Sequence, residues 1–200
     1  MDIAIIDNYD SFTYNLVHLI EKIVDQNVFV FFNDSFEIEQ LQKFDKIILS
    51  PGPGLPHNAG KTMQVIEIYK PTKSILGVCL GHQAIGLSFG ATLKNLSTVY
   101  HGIETNINLN KAELNNEKSL FANIQMPMLV GRYHSWVVDY NDFPNDLIIT
   151  ATDDDKNIMA IKHKTLDVQG VQFHPESIMT KDGEALMRNW IYNEKQINTV

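Results

Sequence analysis

The sequence has a single cysteine among its 200 residues, Cys79, which excludes an internal disulfide and gives no sign of an oxidising compartment. Basic side chains are also scarce, since 16 Lys and Arg against 24 Asp and Glu give a formal net charge of −8. This balance argues against a nucleic-acid-binding protein. No apolar run approaches the roughly 18 residues that a membrane-spanning helix needs, and the N-terminal segment lacks the basic start of a signal peptide. We therefore expect a cytoplasmic protein that binds neither nucleic acid nor a membrane.

In the first half of the chain, patterns typical of strands alternate with patterns typical of helices. Short apolar runs, typical of buried strands, occur at 2–7, 27–32, 46–50 and 74–79. Helical patterns lie between and after them, at 12–23 with Ser11 as the N-cap, 36–44, 61–69 and 80–90. Strand–helix alternation at this spacing predicts parallel βαβ units in a doubly wound sheet.

The second half is richer in strands. Extended segments are predicted at 101–110, 128–138, 147–153, 158–164 and 168–173, and an amphipathic helix at 182–195. The acidic run at 153–156 indicates a solvated hairpin turn. No linker or repeat divides the chain. We expect one α/β domain over residues 1–195, an open, mostly parallel, twisted sheet flanked by helices with a smaller strand-rich part, and a short tail at 196–200.

The lone cysteine lies in Gly77-Val78-Cys79-Leu80-Gly81, between an apolar strand and a helical pattern. This is the form of a nucleophile elbow, with cysteine where hydrolases carry serine. At a helix N-terminus, free N–H groups and the positive end of the dipole favour a thiolate. A small apolar residue that ends a core strand fits the pentapeptide equally well, so both interpretations stay open on this motif alone.

A nucleophilic thiol needs a base, and His174 in GVQFHPES stands out among the seven histidines. Pro175 biases His174 toward an extended conformation, in which residues i and i+2 share a face. Glu176 would then lie beside the imidazole and orient it, as the third member of a triad does. A strand-end histidine with a surface glutamate is the alternative. His82 is expected to pack inside its helix, and no histidines show metal-ligand spacing.

Acyl chemistry also needs donors for a developing oxyanion. The N–H of Leu80, which follows the cysteine, is one candidate. The loop SPGPGLP at 50–56 offers another, because Gly52 and Gly54 after a strand can expose N–H groups while the prolines stiffen the loop. Taken alone, such a loop is more often a tight turn.

Four motifs follow one another along the chain, SPGPGLP at 50–56, GVCLGHQAIG at 77–86, GRYHSW at 131–136 and GVQFHPES at 170–177. In that order they resemble the class I, triad-type glutamine amidotransferases. DNYDSFTYNL at 7–16 and VYHG at 99–102 are similar to the chorismate-using branch, the glutaminase subunits of anthranilate synthase and aminodeoxychorismate synthase. The resemblance extends from Asp7 to about Trp190 and implies a flavodoxin-like topology.

The resemblance implies a mechanism by position. Cys79 would attack the side-chain carboxamide of L-glutamine to give a γ-glutamyl thioester. His174 would act as base and then protonate the departing ammonia, and Glu176 would orient it. The backbone N–H groups of Gly54 and Leu80 would form the oxyanion hole. The implied glutamine-binding positions are Gly52, Pro53, Gly54, Gln83, Ser135 and Trp136.

The resemblance also implies a partner. In this family the ammonia passes to a chorismate-binding synthase large subunit, which is expected to use Mg²⁺, whereas no cofactor or metal is expected in this chain. The implied partner contacts are Tyr9, Asp10, Ser11, Tyr100, His101 and Gly102. The amidotransferase motifs leave no residues for a chorismate-binding domain, so we expect one component of a heteromer.

Several interpretations remain open. VYHG with GRYHSW favours the anthranilate synthase component of tryptophan biosynthesis, with aminodeoxychorismate synthase of the folate pathway as the alternative. A stand-alone amidase would not need the 7–16 segment, and a non-enzymatic binding module would be expected to have lost a member of the triad. Ile103 and Trp136 stand where many relatives have Lys and Leu, which affects partner contacts and substrate fit.

Overall fold

The computed structural model describes residues 1–114 and 116–192. Its strands are β1 (Ile3–Asp7), β2 (Phe29–Phe32), β3 (Lys46–Leu49), β4 (Ser74–Val78), β5 (Leu93–Asn95), β6 (Ile103–Leu109), β7 (Met128–Arg132), β8 (Trp136–Val138), β9 (Leu147–Asp153), β10 (Ile158–His163) and β11 (Val168–Val171). Its α-helices are α1 (Thr13–Val24), α2 (Thr62–Tyr69), α3 (Leu80–Ser88) and α4 (Gly183–Tyr192). Short 3₁₀ helices cover Ile38–Lys43 and Pro56–Asn58.

The main sheet orders its strands β2-β1-β3-β4-β11-β10-β9-β6-β7. Strands β2, β1, β3, β4 and β11 run parallel, in the strand order of flavodoxin-like folds. Strands β10, β9, β6 and β7 continue the sheet in antiparallel pairs. The predicted α/β architecture with a strand-rich second part is therefore confirmed. Ligands of such sheets bind at the carboxyl ends of the parallel strands.

Each face of the sheet carries its own hydrophobic core. Ile3 and Ile5 of β1 point to the face that α1 and α4 cover, and Ala4 and Ile6 point to the face that α2 and α3 cover. Such burial on both faces explains why the parallel strands read as continuous apolar runs. None of the helices in the described ranges is long and apolar enough to span a membrane.

The start of α1 differs from the prediction. Ser11 is not the N-cap, because the helix begins at Thr13 with Phe12 at the cap position and no side-chain cap. The Asp7 carboxylate organises the entry turn instead, since its Oδ1 accepts from the Tyr9 N–H and from the Thr13 hydroxyl, both at 2.8 Å. Ser11 is left exposed on the outside of this turn.

The extended segment predicted at 128–138 is two strands in two different sheets. β7 pairs with β6 in the main sheet, whereas β8 pairs with β5, which the sequence did not predict, in a separate two-stranded sheet. The break between β7 and β8 takes residues 133–135 out of regular pairing. The closing helix ends at Tyr192 in the described range, and residues 193–195 of the predicted helix and the tail at 196–200 lie outside that range.

Helix α3 packs against the sheet more closely than a side chain at Gly81 would allow. A Cβ atom at Gly81 would lie 2.4 Å from the carbonyl oxygen of Leu49 on β3. A Cβ at Gly77 on β4 would lie 2.4 Å from the backbone of Gly81. The two glycines of the elbow motif therefore let the helix that follows Cys79 lie directly on β3 and β4.

We expect Gly81→Ala to lower the free energy of unfolding by about 2 kcal/mol, because the new methyl group must push α3 off the Leu49 backbone. Gly86→Ala, in the same helix, is the matched control. There the new Cβ meets a Val138 methyl group at 2.8 Å, which can adjust more readily than backbone. Urea unfolding of both variants checks this, and an equal loss of stability in the two would contradict the close-packing account.

Candidate active site

The pairing of β4 with β11 brings Cys79 and His174 to one edge of the sheet. Val78 lies opposite Val171 in this parallel pair, and the Cys79 N–H donates to the Val171 carbonyl at 2.9 Å. Cys79 follows β4 directly, and His174 follows the end of β11 after a short bend. Both therefore stand at the carboxyl ends of adjacent parallel strands, where ligand crevices form.

Cys79 has a strained backbone. Its φ of 50° and ψ of −99° lie outside the regions that side-chain-bearing residues normally adopt. Strain of this kind persists only where the surroundings enforce it, and it is typical of functional sites. Helix α3 begins at the next residue, Leu80, so the thiol stands at the helix N-terminus with its unpaired N–H groups and positive dipole end. The cysteine is buried and free of any disulfide.

His174 and Glu176 form a buried pair. Nδ1 of His174 lies 2.7 Å from Oε1 of Glu176, and their side chains are 3% and 0% exposed. The contact was predicted, but its geometry was not. Strand β11 ends at Val171, and a turn at Pro175 and Glu176, rather than an extended chain, folds the carboxylate under the imidazole. The Thr180 hydroxyl donates to the His174 carbonyl at 2.7 Å and holds this turn closed.

Electrostatics favour the charged form of His174. Burial alone would lower its pKa, but the Glu176 carboxylate and Cys79 raise that pKa well above the ordinary value of 6.5. With Nδ1 engaged by Glu176, Nε2 makes no hydrogen bond within the described ranges. Nε2 is thus left to serve Cys79 or a bound molecule. The arrangement can take a proton from a thiol and return it to a leaving group.

Two adjoining cavities meet at Cys79. The smaller cavity, about 180 Å³, is lined by every residue that the sequence analysis assigned to glutamine binding, together with Leu80, Tyr133 and His134. The larger, about 400 Å³, is lined by His174 and by four of the six residues assigned to the partner, Tyr9, Asp10, Ser11 and His101. The other two do not line it. Tyr100 stacks on the Arg132 guanidinium at 3.5 Å, and the Gly102 N–H donates to the Arg132 carbonyl.

Asn8 anchors the loop at 51–55, a role that the sequence analysis missed. Its N–H donates to the Ser50 hydroxyl and its side-chain amide to the Ser50 carbonyl, both at 2.8 Å. Gly52 packs so closely on Asn8 that a Cβ there would lie 2.5 Å from the Asn8 Cβ. Gly54 has a φ of 74° and faces the smaller cavity. Asn8 therefore holds the start of this loop, at Ser50 and Gly52, against the end of β1.

Three further side chains at the site were not predicted to have a role. Gln172 contacts the Cys79 sulfur, and the Tyr133 ring packs against the His174 ring with centroids 4.9 Å apart. Arg132 is buried and donates to His134, which lines the smaller cavity. Gln172 belongs to the GVQFHPES motif, two positions before His174. In an extended chain these two residues share a face, and this was the one sequence signal that could have placed Gln172 at the site. The other two flank the break after β7, which the sequence did not reveal.

Two buried histidines near the site, His82 and His134, are neutral. Burial lowers the pKa of His82 to about 4, and burial followed by the Arg132 charge lowers that of His134 to about 3. His82 packs inside α3, as predicted. Within the described ranges, no group of three or more His, Cys, Asp or Glu side chains is arranged to hold a metal ion.

Comparisons with known proteins show the family of this chain. The family model of class-I glutamine amidotransferases matches residues 4–193. Anthranilate synthase component 2 of Pseudomonas aeruginosa is 41% identical, covering 94% of each chain. Aminodeoxychorismate/anthranilate synthase component 2 of Bacillus subtilis is 39% identical, covering 94% of this chain and 95% of its own. The bifunctional protein TrpGD of Thermotoga maritima is 40% identical, but the chain spans only 32% of its length.

The fold has a close structural neighbour. A solved structure from Thermoplasma acidophilum, described as part of a GMP synthase, superposes with a TM-score of 0.83. The comparison covers 96% of this chain and 92% of that one at 23% sequence identity. At that identity the likeness supports the fold alone.

We expect Glu176→Gln to lower the pKa of His174, because the carboxylate is the main group that holds the imidazolium against burial. A histidine with a raised pKa stabilises the fold fully below pH 6.5 and loses that contribution as pH rises through the raised pKa, so the variant should also lose stability at acidic and neutral pH. Nuclear magnetic resonance titration of the His174 ring checks this. His18→Gln, at an exposed position, serves as the control. An unchanged titration in Glu176→Gln would contradict the assignment.

Proposed function

The chain belongs to the class-I glutamine amidotransferases, and from that premise we propose that it hydrolyses L-glutamine at Cys79 and delivers the ammonia to a chorismate-using synthase. One observation carries the proposal. A strained cysteine at a helix N-terminus lines a small polar cavity and shares a second, adjoining cavity with the histidine of a buried histidine–glutamate pair. Such a nucleophile, base and orienting carboxylate are what acyl transfer from an amide requires.

The proposed first half-reaction releases ammonia. The Cys79 thiolate attacks the carboxamide carbon of glutamine, and the negative charge that develops on the oxygen is met by N–H groups of Leu80 and Gly54. His174, protonated as its raised pKa favours, gives its Nε2 proton to the departing nitrogen. The carbon–nitrogen bond breaks, and a γ-glutamyl thioester remains on Cys79.

The proposed second half-reaction restores the thiolate. His174, now neutral, takes a proton from a water molecule that attacks the thioester carbonyl. The same two N–H groups stabilise the second oxyanion, and the carbon–sulfur bond breaks to release glutamate. Glu176 keeps Nδ1 of the imidazole protonated through both halves, so that Nε2 is the atom that exchanges protons.

The smaller cavity supports glutamine as the substrate. Its walls carry more polar than apolar groups and combine the loop at 52–54 with the side of α3 at Gln83 and the segment at 135–136. Backbone groups and short polar side chains of this kind suit a small molecule with an α-amino and an α-carboxylate group. Leu80 and Cys79 also line this cavity, and the reacting carboxamide would lie against them.

The larger cavity supports a partner protein. It shares Cys79 with the smaller cavity and is lined by Tyr9, which is 54% exposed, and by Ser11 and His101. Relatives that match 94% or more of their own length are named as components 2 of anthranilate synthase, which supports that enzyme as the partner. We further propose that any Mg²⁺ of the complex is held by the partner, and that the reactive thiol works in the reducing cytoplasm.

Aminodeoxychorismate synthase is the second candidate partner. The Bacillus subtilis relative is named for both enzymes, and it is almost as similar to this chain as the relatives named for anthranilate synthase alone. One component serving both synthases would account for this name. Tyr100 and Ile103, near the proposed interface, are the positions at which the two partners would be discriminated.

We expect Cys79→Ser and His174→Gln each to lower glutamine-dependent ammonia release by about 1,000-fold or more, because each removes a group that acts in bond breaking. Ammonia release is measured with the purified chain, with and without chorismate and the large subunit of anthranilate synthase. His18→Gln is the matched histidine control and should retain full activity. Full activity in Cys79→Ser would refute the assigned nucleophile, and a high rate indifferent to the partner would favour a stand-alone amidase.

We expect Ser11→Arg to abolish the stimulation by the large subunit while the basal rate stays within about twofold, because a long charged side chain at the cavity rim blocks docking rather than chemistry. Gln64→Arg, on the exposed side of α2, is the control and should leave stimulation intact. Co-purification and ammonia release measure the two effects separately. Normal stimulation of Ser11→Arg would place the partner on another surface.

A further inference from the structure

The side-chain amide of Gln172 lies against the Cys79 sulfur, and the proposed reaction does not use it. Gln172 is fully buried between β11 and His174, and its Nε2 lies 3.6 Å from Sγ of Cys79. Its backbone N–H donates to the Met159 carbonyl of β10 at 2.9 Å, which ties the residue to the sheet. A buried amide has the donors to hold a thiolate but, unlike His174, cannot remove a proton from it.

The neighbouring amide sets which way Gln172 points. Nε2 of Gln83 donates to the Trp136 carbonyl at 2.9 Å and to Oε1 of Gln172 at 3.2 Å. A backbone carbonyl only accepts hydrogen bonds, so the Gln83 amide must turn its N–H groups toward Trp136 and Gln172. Oε1 of Gln172 is then the acceptor, and its Nε2 is the atom that faces the sulfur.

The hydrogen bonds that orient Gln83 and Gln172 continue beyond the Trp136 carbonyl to a buried ion pair. Arg132 and Asp153 are both buried and joined at 2.7 Å, so Asp153 is not part of the solvated turn that the sequence suggested. Nε of Arg132 donates to Nε2 of His134 at 3.1 Å, and arginine has no acceptor. His134 therefore carries its proton on Nδ1, which lies 3.1 Å from the Trp136 carbonyl. The lowered pKa of His134, about 3, keeps the ring in this neutral form.

We propose that Gln172 is a positioning residue that donates an N–H to the Cys79 sulfur and favours the thiolate beside the His174 imidazolium. Its direction is imposed by Gln83, which is fixed in turn by the Trp136 carbonyl. The same Gln83 amide lines the glutamine cavity, so the contact links the substrate pocket to the state of the thiol. The proposal rests on Cys79 as the nucleophile of the proposed function.

The charged groups around the thiol bear on any pH measurement. His174 faces Cys79 from the segment after β11, with Glu176 behind it, and Asp10 interacts with His174 from the loop before α1. His82 and His134 are neutral near pH 7. Gln172 carries no charge at any pH of the test, so it acts on these groups as an uncharged donor.

The test is the pH dependence of iodoacetamide alkylation, followed by mass spectrometry on the whole protein, in which Cys79 is the only thiol. Gln172→Glu keeps the oxygen that accepts from Gln83 and replaces the donor with a second oxygen. Gln172→Met removes both. We expect the apparent midpoint to rise by about one pH unit in Gln172→Met, a tenfold slower reaction below the midpoint, and by more in Gln172→Glu.

Gln64→Met, at an exposed position of α2, is the matched control and should match the wild type. Gln83→Met leaves the Gln172 side chain intact but unanchored, so a smaller rise in the same direction is expected, and this variant decides the matter if the Gln172 variants do not fold. Midpoints within about 0.2 units of the wild type in every folded variant, or an equal rise in Gln64→Met, overturn the proposal. Alkylation needs neither glutamine nor a partner, so the result is independent of whether glutamine is hydrolysed.

Discussion

The parallel pairing of β4 with β11 is the constraint on which the site depends. The chain leaves β4 at Cys79, builds the antiparallel part of the sheet, and returns as β11 beside the strand it left. The bond from the Cys79 N–H to the Val171 carbonyl fixes the register at the point where chemistry occurs. A slip of one residue in this pair would turn the following side chains to the opposite face and separate the thiol from the imidazole.

Close packing of α3 on the sheet maintains the strained backbone of Cys79. Gly77 and Gly81 let α3 lie on the sheet, and the helix in turn holds the backbone of Cys79 in a conformation that costs about 1–3 kcal/mol. In return, the thiol stands at the helix N-terminus with the imidazole on one side and an amide donor on the other. The free-energy cost of the strained turn is offset by the burial of apolar side chains in the two cores that cover the faces of the sheet.

The sequence was most informative where one local pattern decides the structure. The elbow glycines and the apolar strands follow from short-range patterns and were predicted, and so was the contact of His174 with Glu176, although a turn rather than an extended chain makes it. The split of 128–138 into β7 and β8 was not, because both strands have the same extended pattern and only tertiary pairing separates them. The buried Asp153 and the Gln172 contact were missed for a related reason, since their partners lie far away in sequence.

The most direct test of this account is to trap the covalent intermediate. The purified chain is mixed with glutamine, quenched in acid within one turnover, and measured as an intact protein and as peptides by mass spectrometry. The account predicts a γ-glutamyl adduct on the peptide that contains Cys79, and it predicts that Cys79→Ser carries no such adduct. Ammonia release from wild-type protein with no adduct on Cys79 under any quench would contradict it.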